Sequence, residues 1–272
     1  MEQTGQTPAK KGTRKTMADY DNRALHTTAA DAGVMDAGLR AYMIRIYNYM
    51  LVGLGLTGVF AFGTYALSFT TDPAQAAATM RDGTMVTQLG VMLFGSPLRW
   101  VVMLAPLGLV FFLSFRIHKM SVGAAQSTFW IYAALMGVSL ASIFLVYTGA
   151  SITQTFFVAA ATFGAMSLYG YTTKRDLTGW GSFLFMGLIG LLIAVVVNVF
   201  LQSSALQFVI SAAGVLIFTG LTAYDTQKIK EIYYVGDDST VAGRKSIMGA
   251  LTLYLDFINL FLMLLRLIGD RR

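Results

Sequence analysis

The sequence contains no cysteine, few prolines and little charge. Without cysteine there is no disulfide, thiolate zinc site, iron–sulfur cluster or cysteine nucleophile, and the redox compartment cannot be inferred. Charged residues make up 12% of the 272 residues and hydrophobic residues 56%, whereas a soluble domain carries about 25% charged and under about 50% apolar residues. This composition excludes a soluble globular domain, and it also excludes the collagen-like, disordered and disulfide-rich classes.

The positions of the charges indicate a membrane protein. No Asp, Glu, Lys or Arg occurs between Lys119 and Lys174, or between Asp176 and Asp225. A helix rises about 1.5 Å per residue, so about 20 apolar residues cross the hydrocarbon core of a bilayer. Each uncharged run is therefore long enough for two crossings joined by a short turn. The sequence predicts a polytopic membrane protein.

Seven hydrophobic segments predict the fold class, an all-α membrane protein with a bundle of seven transmembrane helices. They lie near residues 46–68, 98–115, 122–147, 152–173, 180–201, 205–224 and 247–268. A longer connection, roughly residues 69–97, separates the first two segments. No internal repeat is evident, so an inverted-repeat transporter is not supported.

The chain is predicted to have two parts, a polar and basic N-terminal tail over residues 1–39 and a membrane domain over residues 40–272. The tail has too few apolar residues to offset its ordering entropy, so we expect disorder at least to residue 21. No apolar region follows Met1 directly, so we expect no cleaved signal peptide. The net charge of +6 comes without a nucleic-acid-binding motif, so no nucleic-acid partner is expected.

Lysine and arginine are distributed unequally between the two sides of the predicted bundle. If the N-terminus is cytoplasmic, the cytoplasmic loops carry Arg116, Lys119, Lys174, Arg175, Lys228, Lys230, Arg244 and Lys245. The opposite loops carry only Arg81 and Arg99, and basic residues favour the cytoplasmic side. Arg271 and Arg272 do not follow this rule, because seven full spans would place these basic residues outside the cytoplasm. We predict seven full spans with a cytoplasmic N-terminus, and a re-entrant last segment is the alternative.

Small residues recur within the predicted spans and favour close helix packing. Small side chains allow transmembrane backbones to approach closely where lipid provides no hydrophobic drive between helices. Their spacing predicts helix contacts at Gly53, Gly58, Gly137, Ala141, Gly187, Gly190, Ser211 and Gly214. The many Met and Phe residues are interpreted as core or lipid-facing, and no cofactor is expected.

Two acidic residues are candidates for function. Asp225 lies at the end of the sixth segment, and Asp256 lies inside the seventh with apolar residues on both sides. Thr252, Asp256 and Asn259 are spaced by four and three residues, so they share one helix face. Because a carboxylate at mid-bilayer costs roughly 3 kcal/mol, this face should point into the bundle.

Each acid also has a purely structural interpretation. Asp225 could form a local ion pair with Lys228, three residues later on the helix. Asp256 could belong to a structural ion pair in the bundle, for which Arg116 and Arg99 are candidate counter-charges. Asn198, in the fifth segment, is more consistent with a hydrogen bond between helices than with a functional site.

The same residues carry a family resemblance. The run from Tyr224 to Lys230, and the run from Leu253 to Gly269 about thirty residues later, resemble the Bax inhibitor family of transmembrane proteins. The resemblance is to its bacterial branch of YccA-like and YetJ-like members, and it covers about residues 40–270. Ser114 to Ile117 and Ser151 to Thr153 add to it.

This resemblance implies a pH-sensitive calcium leak channel in a bacterial inner membrane. The implied pH sensor and ion gate is a hydrogen-bonded pair formed by Asp225 and Asp256, with Arg116 as an alternate partner or counter-charge. Thr252, Asn259 and Lys228 are expected to support the pair. Two carboxylates close together in a poor dielectric titrate as a coupled pair, and calcium, which prefers oxygen ligands, could bind them transiently.

Other functions remain open at this point. The resemblance also allows a membrane stress regulator that binds a quality-control protease or another membrane protein. An intramembrane aspartyl protease would place Gly-x-Gly before its second acid, but Tyr254 and Leu255 precede Asp256. A rhomboid-type serine protease is disfavoured because His26 and His118 lie outside the spans. We therefore expect no enzymatic activity.

Overall fold

The computed structural model describes residues 17–80 and 83–272. The described chain divides into two compact units between Ala41 and Tyr42. Helix α1 spans Met17–Ser68, so its first five residues lie in the part of the tail that was predicted to be disordered, which extends to residue 21. Alanine, which recurs in the first turns of α1, has the highest helix propensity. The rest of the predicted tail, residues 1–16, lies outside the described residues.

Within the described residues, seven helices are long and apolar enough to cross a membrane. Their bounds are Ala37–Ser68, Leu98–Lys119, Val122–Val146, Gly149–Thr172, Thr178–Leu201, Ser204–Glu231 and Ser239–Ile268. Each overlaps one of the segments found from hydropathy. The predicted all-α fold with seven transmembrane helices is therefore confirmed.

The helices follow one another with short connections. After α1 they are α2 (Gln88–Gly90), α3 (Leu98–Arg116), α4 (Val122–Leu140), α5 (Ile143–Val146), α6 (Gly149–Thr172), α7 (Thr178–Leu201), α8 (Ser204–Glu231) and α9 (Ser239–Ile268). Hydroxyl or carboxylate side chains cap five of them, because the first amides of a helix lack internal acceptors. The caps are Thr87 on α2, Ser121 on α4, Thr148 on α6, Ser203 on α8 and Asp238 on α9.

The long connection between α1 and α3 contains a small antiparallel sheet. Its strands are β1 (Phe69–Thr70), β2 (Ala78–Thr79) and β3 (Met85–Val86), in the order β1-β3-β2. The Thr87 hydroxyl donates to the Leu67 carbonyl at 2.7 Å. A π-helical turn over Val91–Gly95 then leads to α3. Arg81, one of the two basic residues in the loops predicted to lie opposite the cytoplasmic side, lies outside the described residues.

Helix α9 lies at the centre of the membrane unit. It packs against α4, α6 and α8, and 72% of its most apolar segment of 18 residues is buried. Helix α7 is the opposite case, since only 6% of the corresponding segment is buried and it packs mainly against α8. The most apolar helix is therefore the one with the largest exposure to lipid, and the helix with a polar stripe is central.

The chain end shows that α9 crosses the whole unit. It begins next to the end of α8, at the end of the bundle where α3 and α6 also end. Its last residues meet the connection between α5 and α6, where Arg272 N donates to Val146 O at 3.0 Å and Thr148 N to Asp270 O at 3.1 Å. This connection is at the other end of the bundle, so the alternative of a re-entrant last segment is wrong.

We call the first of these two ends the basic end, because the loops there contain Arg116, Lys119, Lys174, Arg175, Lys228, Lys230, Arg244 and Lys245. Several of these side chains fasten neighbouring elements. Arg244 Nε donates to Met120 O at 2.7 Å, and Lys230 Nζ donates to Tyr171 O at 2.8 Å. We call the other end, where α7 ends and α8 begins, the opposite end.

The predicted close contacts at small residues are confirmed only in part. A Cβ atom at Gly137 would lie 2.5 Å from the Thr57 carbonyl oxygen, so α1 and α4 approach closely there. At Gly187 it would meet the Ile217 side chain at 3.3 Å, a contact that is tight for a Cβ atom. Nothing lies within 4 Å of such an atom at Gly58 or Gly190. The prediction of helix contacts at these two glycines is wrong, because their helix faces point away from neighbours.

Candidate functional site: a carboxyl pair between two helices

Asp225 of α8 and Asp256 of α9 lie side by side in the membrane unit. Their carboxyl groups lie close enough for a hydrogen bond between them. Asp256 is buried, with 5% of its surface exposed, and Asp225 is half-buried. A carboxylate only accepts hydrogen bonds, so a bond between two carboxyl groups requires a proton on one of them. The structure thus brings together the two acids that the sequence singled out.

The pair lines a cavity of about 550 Å³ between α7, α8 and α9. Phe185 and Leu188 of α7 form its apolar wall, and Thr252, Asp256 and Asn259 form a polar wall on α9. Asp256 Oδ2 is buried and has no hydrogen-bond partner within the described part of the chain. The cavity therefore combines apolar surface with a carboxyl group that has free acceptor capacity.

Thr252 and Asn259 place further oxygen atoms in this cavity. The Thr252 hydroxyl donates to Met248 O at 3.1 Å, and Asn259 Nδ2 donates to Leu255 O at 2.8 Å. These bonds use donors and leave the hydroxyl lone pairs and the amide carbonyl of the two side chains as acceptors. The stripe predicted from their spacing on α9 therefore faces the cavity.

Lys228 lines the cavity without pairing with Asp225. Its ammonium lies 5.7 Å from the centre of the Tyr224 ring. Among the residues that the structure describes, the single ion pair joins Lys245 to Asp237 at 2.5 Å. The local ion pair considered for Asp225 is thus absent, and the Asp225 carboxyl group lies next to that of Asp256 instead.

Arg116 is not brought to the carboxyl pair. It ends α3, is exposed and does not line the cavity. Helix α3 packs mainly against α4 and not against the helices that line the cavity. Arg99 is also exposed, and its guanidinium lies 5.2 Å from the Trp100 ring centre. Arg116 was expected to be a partner of the pair, but in this structure it does not contact either acid.

Gln227 has a structural role that the sequence interpretation missed. Its side chain is buried; Oε1 accepts a bond from Leu177 N, and Nε2 donates to Arg175 O, both at 2.8 Å. The amide therefore fastens the connection between α6 and α7 to α8, two residues after Asp225. The signal was available, because Gln227 belongs to the motif that carried the family resemblance.

Tyr224 fixes the beginning of α7 over the cavity. A Cβ atom at Gly181 would lie 2.4 Å from the Tyr224 ring, so the ring rests directly on the backbone of α7. Only glycine allows this approach. The first turns of α7 are thus held next to Asp225 by an aromatic ring and by the Gln227 amide.

Buried hydroxyl groups link α8 to its other neighbours. Thr226, the residue after Asp225, shares a hydrogen bond of 3.0 Å with Ser167 of α6, and Ser167 is bonded in turn to Tyr47 of α1. On α9, the Tyr254 hydroxyl is 2.6 Å from that of Thr57. These bonds connect the segments that carry the two acids to α1 and α6.

An apolar contact of the same three helices lies beyond the cavity, towards the opposite end. Met263 and Leu191 are buried, with 8% and 4% of their surfaces exposed. A Cβ atom at Gly214 would lie 2.8 Å from Met263 Sδ and 3.4 Å from Leu191 Cδ2. Helices α7, α8 and α9 therefore meet in one apolar contact beyond Asn259.

One acid near this site lies outside the membrane-spanning helices and behaves differently. Asp176 is exposed, in the connection before α7, and its Oδ1 accepts a bond from Thr178 N at 2.8 Å. Hydrogen bonds from the Thr178 side chain and backbone hold the pKa of Asp176 below its usual value. Asp176 therefore stays ionised near neutral pH.

A family comparison assigns the chain. A family model described as "Inhibitor of apoptosis-promoting Bax1" matches residues 39–272. The chain belongs to the Bax inhibitor family. The match covers the whole membrane unit, including both acids, Gln227 and the cavity between α7, α8 and α9.

Relatives in this family come from several bacteria. The inner membrane protein YbhL of Escherichia coli K12 is 50% identical over 238 residues, which cover 87% of this chain and 94% of that protein. An uncharacterized protein of Rickettsia prowazekii is 46% identical over 256 residues, 94% of this chain and 100% of the relative. An uncharacterized membrane protein of Streptococcus pyogenes is 37% identical over 236 residues, 86% of this chain and 94% of the relative. The chain is thus an integral membrane protein of the Bax inhibitor family.

Proposed function

We propose that this chain is a pH-sensitive calcium leak channel gated by Asp225 and Asp256. The observation that carries the proposal is the close approach of two carboxyl groups, near enough for a shared proton, in the wall of a cavity among the membrane-spanning helices. We further propose the bacterial inner membrane as its location, since the relative YbhL is named an inner membrane protein.

The gate would depend on one shared proton. With the proton present, the hydrogen bond joins α8 to α9. Without it, two negative charges about 4 Å apart repel by about 4 kcal/mol at an effective dielectric constant of about 20. This energy is comparable to the few kcal/mol that commonly separate two conformations of a protein. Loss of the proton would therefore separate the helices at the pair, and the leak should rise as the pH rises.

The proposed path for the ion runs along the groove between α7, α8 and α9. The cavity lies on the side of the basic end, and in this proposal the contact of Met263 with Gly214 and Leu191 is the barrier between it and the opposite end. Methionine is unbranched and adapts easily to new surroundings. A small movement of α7, the least buried of these helices, would open this contact.

Calcium fits the chemistry of the cavity. Calcium takes six to eight oxygen ligands, as a rule from carboxylates, carbonyls and water. The cavity offers two carboxyl groups, the Asn259 carbonyl and the Thr252 hydroxyl. No group of three or more His, Cys, Asp or Glu that could hold a metal occurs within the described residues. This donor set suits an ion that stays partly hydrated and passes through.

Calcium uptake by sealed liposomes tests the proposal. Liposomes with the purified full-length chain and a calcium indicator inside should take up calcium faster at about pH 8 than at about pH 6, and protein-free liposomes should show no such difference. Folded protein that carries no calcium at either pH would contradict the channel. The alternative, a regulator that binds a membrane protease, would then be the better interpretation.

The orientation is a separate prediction. The basic end should face the cytoplasm, since positive charge is retained there. A reporter fused at Gly236, in the connection between α8 and α9, is expected to behave as cytoplasmic. Its control is the same reporter at Gly83, in the connection between α1 and α3, which should behave as external. A reversed result would place the carboxyl pair on the other side of the membrane.

A further inference from the structure

A second cavity, of about 450 Å³, lies at the opposite end of the bundle. Its polar lining consists of Asn198 and Gln202 at the end of α7, Gln207 at the start of α8 and Arg266 near the end of α9. Val195, Val199 and Ile210 form its apolar side. None of these residues lines the cavity that contains Asp225 and Asp256.

The charge of this cavity is positive and uncompensated. Arg266 is exposed and has no ion-pair partner among residues 17–80 and 83–272, where the single ion pair joins Lys245 and Asp237. No Asp or Glu of the described part of the chain lines the cavity. A guanidinium with no counter-charge favours an anion and repels a cation, so this site does not suit calcium.

The amide side chains around Arg266 add hydrogen-bond donors. Asn198 Oδ1 accepts a bond from Ser203 N at 3.0 Å, which leaves the Asn198 amide nitrogen as a donor. This bond also holds the turn after α7, where Gln202 adopts a left-handed conformation with φ 49°. Gln207 follows in the first turn of α8. A fork of guanidinium donors with neighbouring amides is the kind of group that binds phosphate oxygens.

The depth of the cavity points to lipid as the source of the phosphate. Arg266 lies two residues before the end of α9, and Asn198 three residues before the end of α7. The ends of transmembrane helices lie at the boundary between hydrocarbon and water, where lipid head groups are found. The apolar side chains of Val195, Val199 and Ile210 match the glycerol and upper acyl chain of a lipid, which a free phosphate lacks.

We propose that this cavity binds the phosphate of an anionic phospholipid. Arg266 contacts the phosphate, and Asn198, Gln202 and Gln207 orient it. The site is distinct from the carboxyl pair, since Asp256 and Arg266 are ten residues apart on α9, or about 15 Å along a helix. A net negative lipid is favoured over a zwitterionic one because the cavity has no acid to receive a cationic head group.

Thermal unfolding of the full-length protein in detergent tests this site. Phosphatidylglycerol is added to the protein, and phosphatidylcholine and inorganic phosphate are added in parallel. Saturating phosphatidylglycerol should raise the Tm by about 2–8 °C, and phosphatidylcholine or millimolar phosphate should have a much smaller effect. The Arg266→Gln variant should require at least about tenfold more phosphatidylglycerol for the same shift.

Controls separate the site from general effects of lipid. Arg99→Gln removes another exposed arginine at the same end, and it should respond like the wild type. Gln207→Leu should weaken the response while keeping the arginine, so the test does not depend on one variant folding. An equal response of Arg266→Gln and the wild type would overturn the proposal. So would an equal shift from phosphatidylcholine, or an Arg266-dependent shift from inorganic phosphate alone.

Discussion

Replacing Asp256 by Asn is expected to remove most of the pH response of calcium flux between about pH 6 and pH 8. Asparagine keeps the shape and hydrogen-bonding capacity of the side chain but does not titrate, so no repulsion develops as the pH rises. Asp225→Asn should have the same effect, because the two acids share one proton and titrate as a pair. The measurement is calcium uptake by liposomes at several pH values.

The matched control for these variants is Asp176→Asn. Asp176 lies at the same end of the bundle, but hydrogen bonds from Thr178 hold its pKa low, so it does not titrate in this range. The double variant Asp225→Asn with Asp256→Asn should add little to either single change, since coupled sites are not additive. If both single variants keep the wild-type profile, the pair is a structural contact and the proposed gate is wrong.

Gly170→Ala is expected to cause the largest loss of stability among the glycine positions in α6. An added Cβ atom would lie 2.1 Å from the Ala223 carbonyl oxygen and 2.9 Å from Ala223 Cα. Both atoms are backbone, so α6 and α8 must separate to relieve the clash. Overpacking of this kind costs about 1–3 kcal/mol, which should lower the Tm in detergent by several degrees.

Gly164→Ala is the control for this change. Gly164 is on the same helix and is exposed, and nothing lies within 4 Å of an added Cβ atom. Its Tm should equal or slightly exceed that of the wild type, because alanine favours helix over glycine. Equal stability of Gly170→Ala and Gly164→Ala would mean that α6 and α8 are farther apart than in this structure.

Gly170→Ala should also alter calcium flux, because Ala223, which the added Cβ atom would contact, is two residues from Asp225.

The number of membrane-spanning helices was predictable from sequence for a physical reason, whereas α1, α8 and α9 extend beyond the predicted segments. A chain in lipid must satisfy its backbone hydrogen bonds internally, so long apolar segments can only be helices. The rotation of each helix is harder to predict. Helix α7 is apolar on all sides, so nothing in its sequence indicates that Gly187 faces Ile217 while Gly190 faces no neighbour. A hydropathy pattern contains no such directional signal.

The candidate site was also predictable in part. An acid inside an apolar segment is costly, and this cost directs attention to Asp256 without any knowledge of the fold. Its pairing with Asp225 was indicated by the family resemblance rather than by spacing. The position of Arg116 depends on how α3 packs, and local sequence does not encode that α3 rests on α4. Gln227 acts through two bonds to backbone atoms about fifty residues away, which no sequence spacing reveals.

The central position of α9 has a consequence for biosynthesis. Helices α4, α6 and α8, against which α9 packs, all precede it in the chain and leave the ribosome first. During insertion these helices are in the membrane before their shared partner α9 has been inserted. Hydroxyl groups such as that of Thr57 then lack the partner that they have in the folded protein, which for Thr57 is Tyr254. Lipid, water or an insertion factor must cover these inner faces in the meantime. Assembly of the bundle therefore depends on the arrival of α9, and the carboxyl pair can form only at that last step.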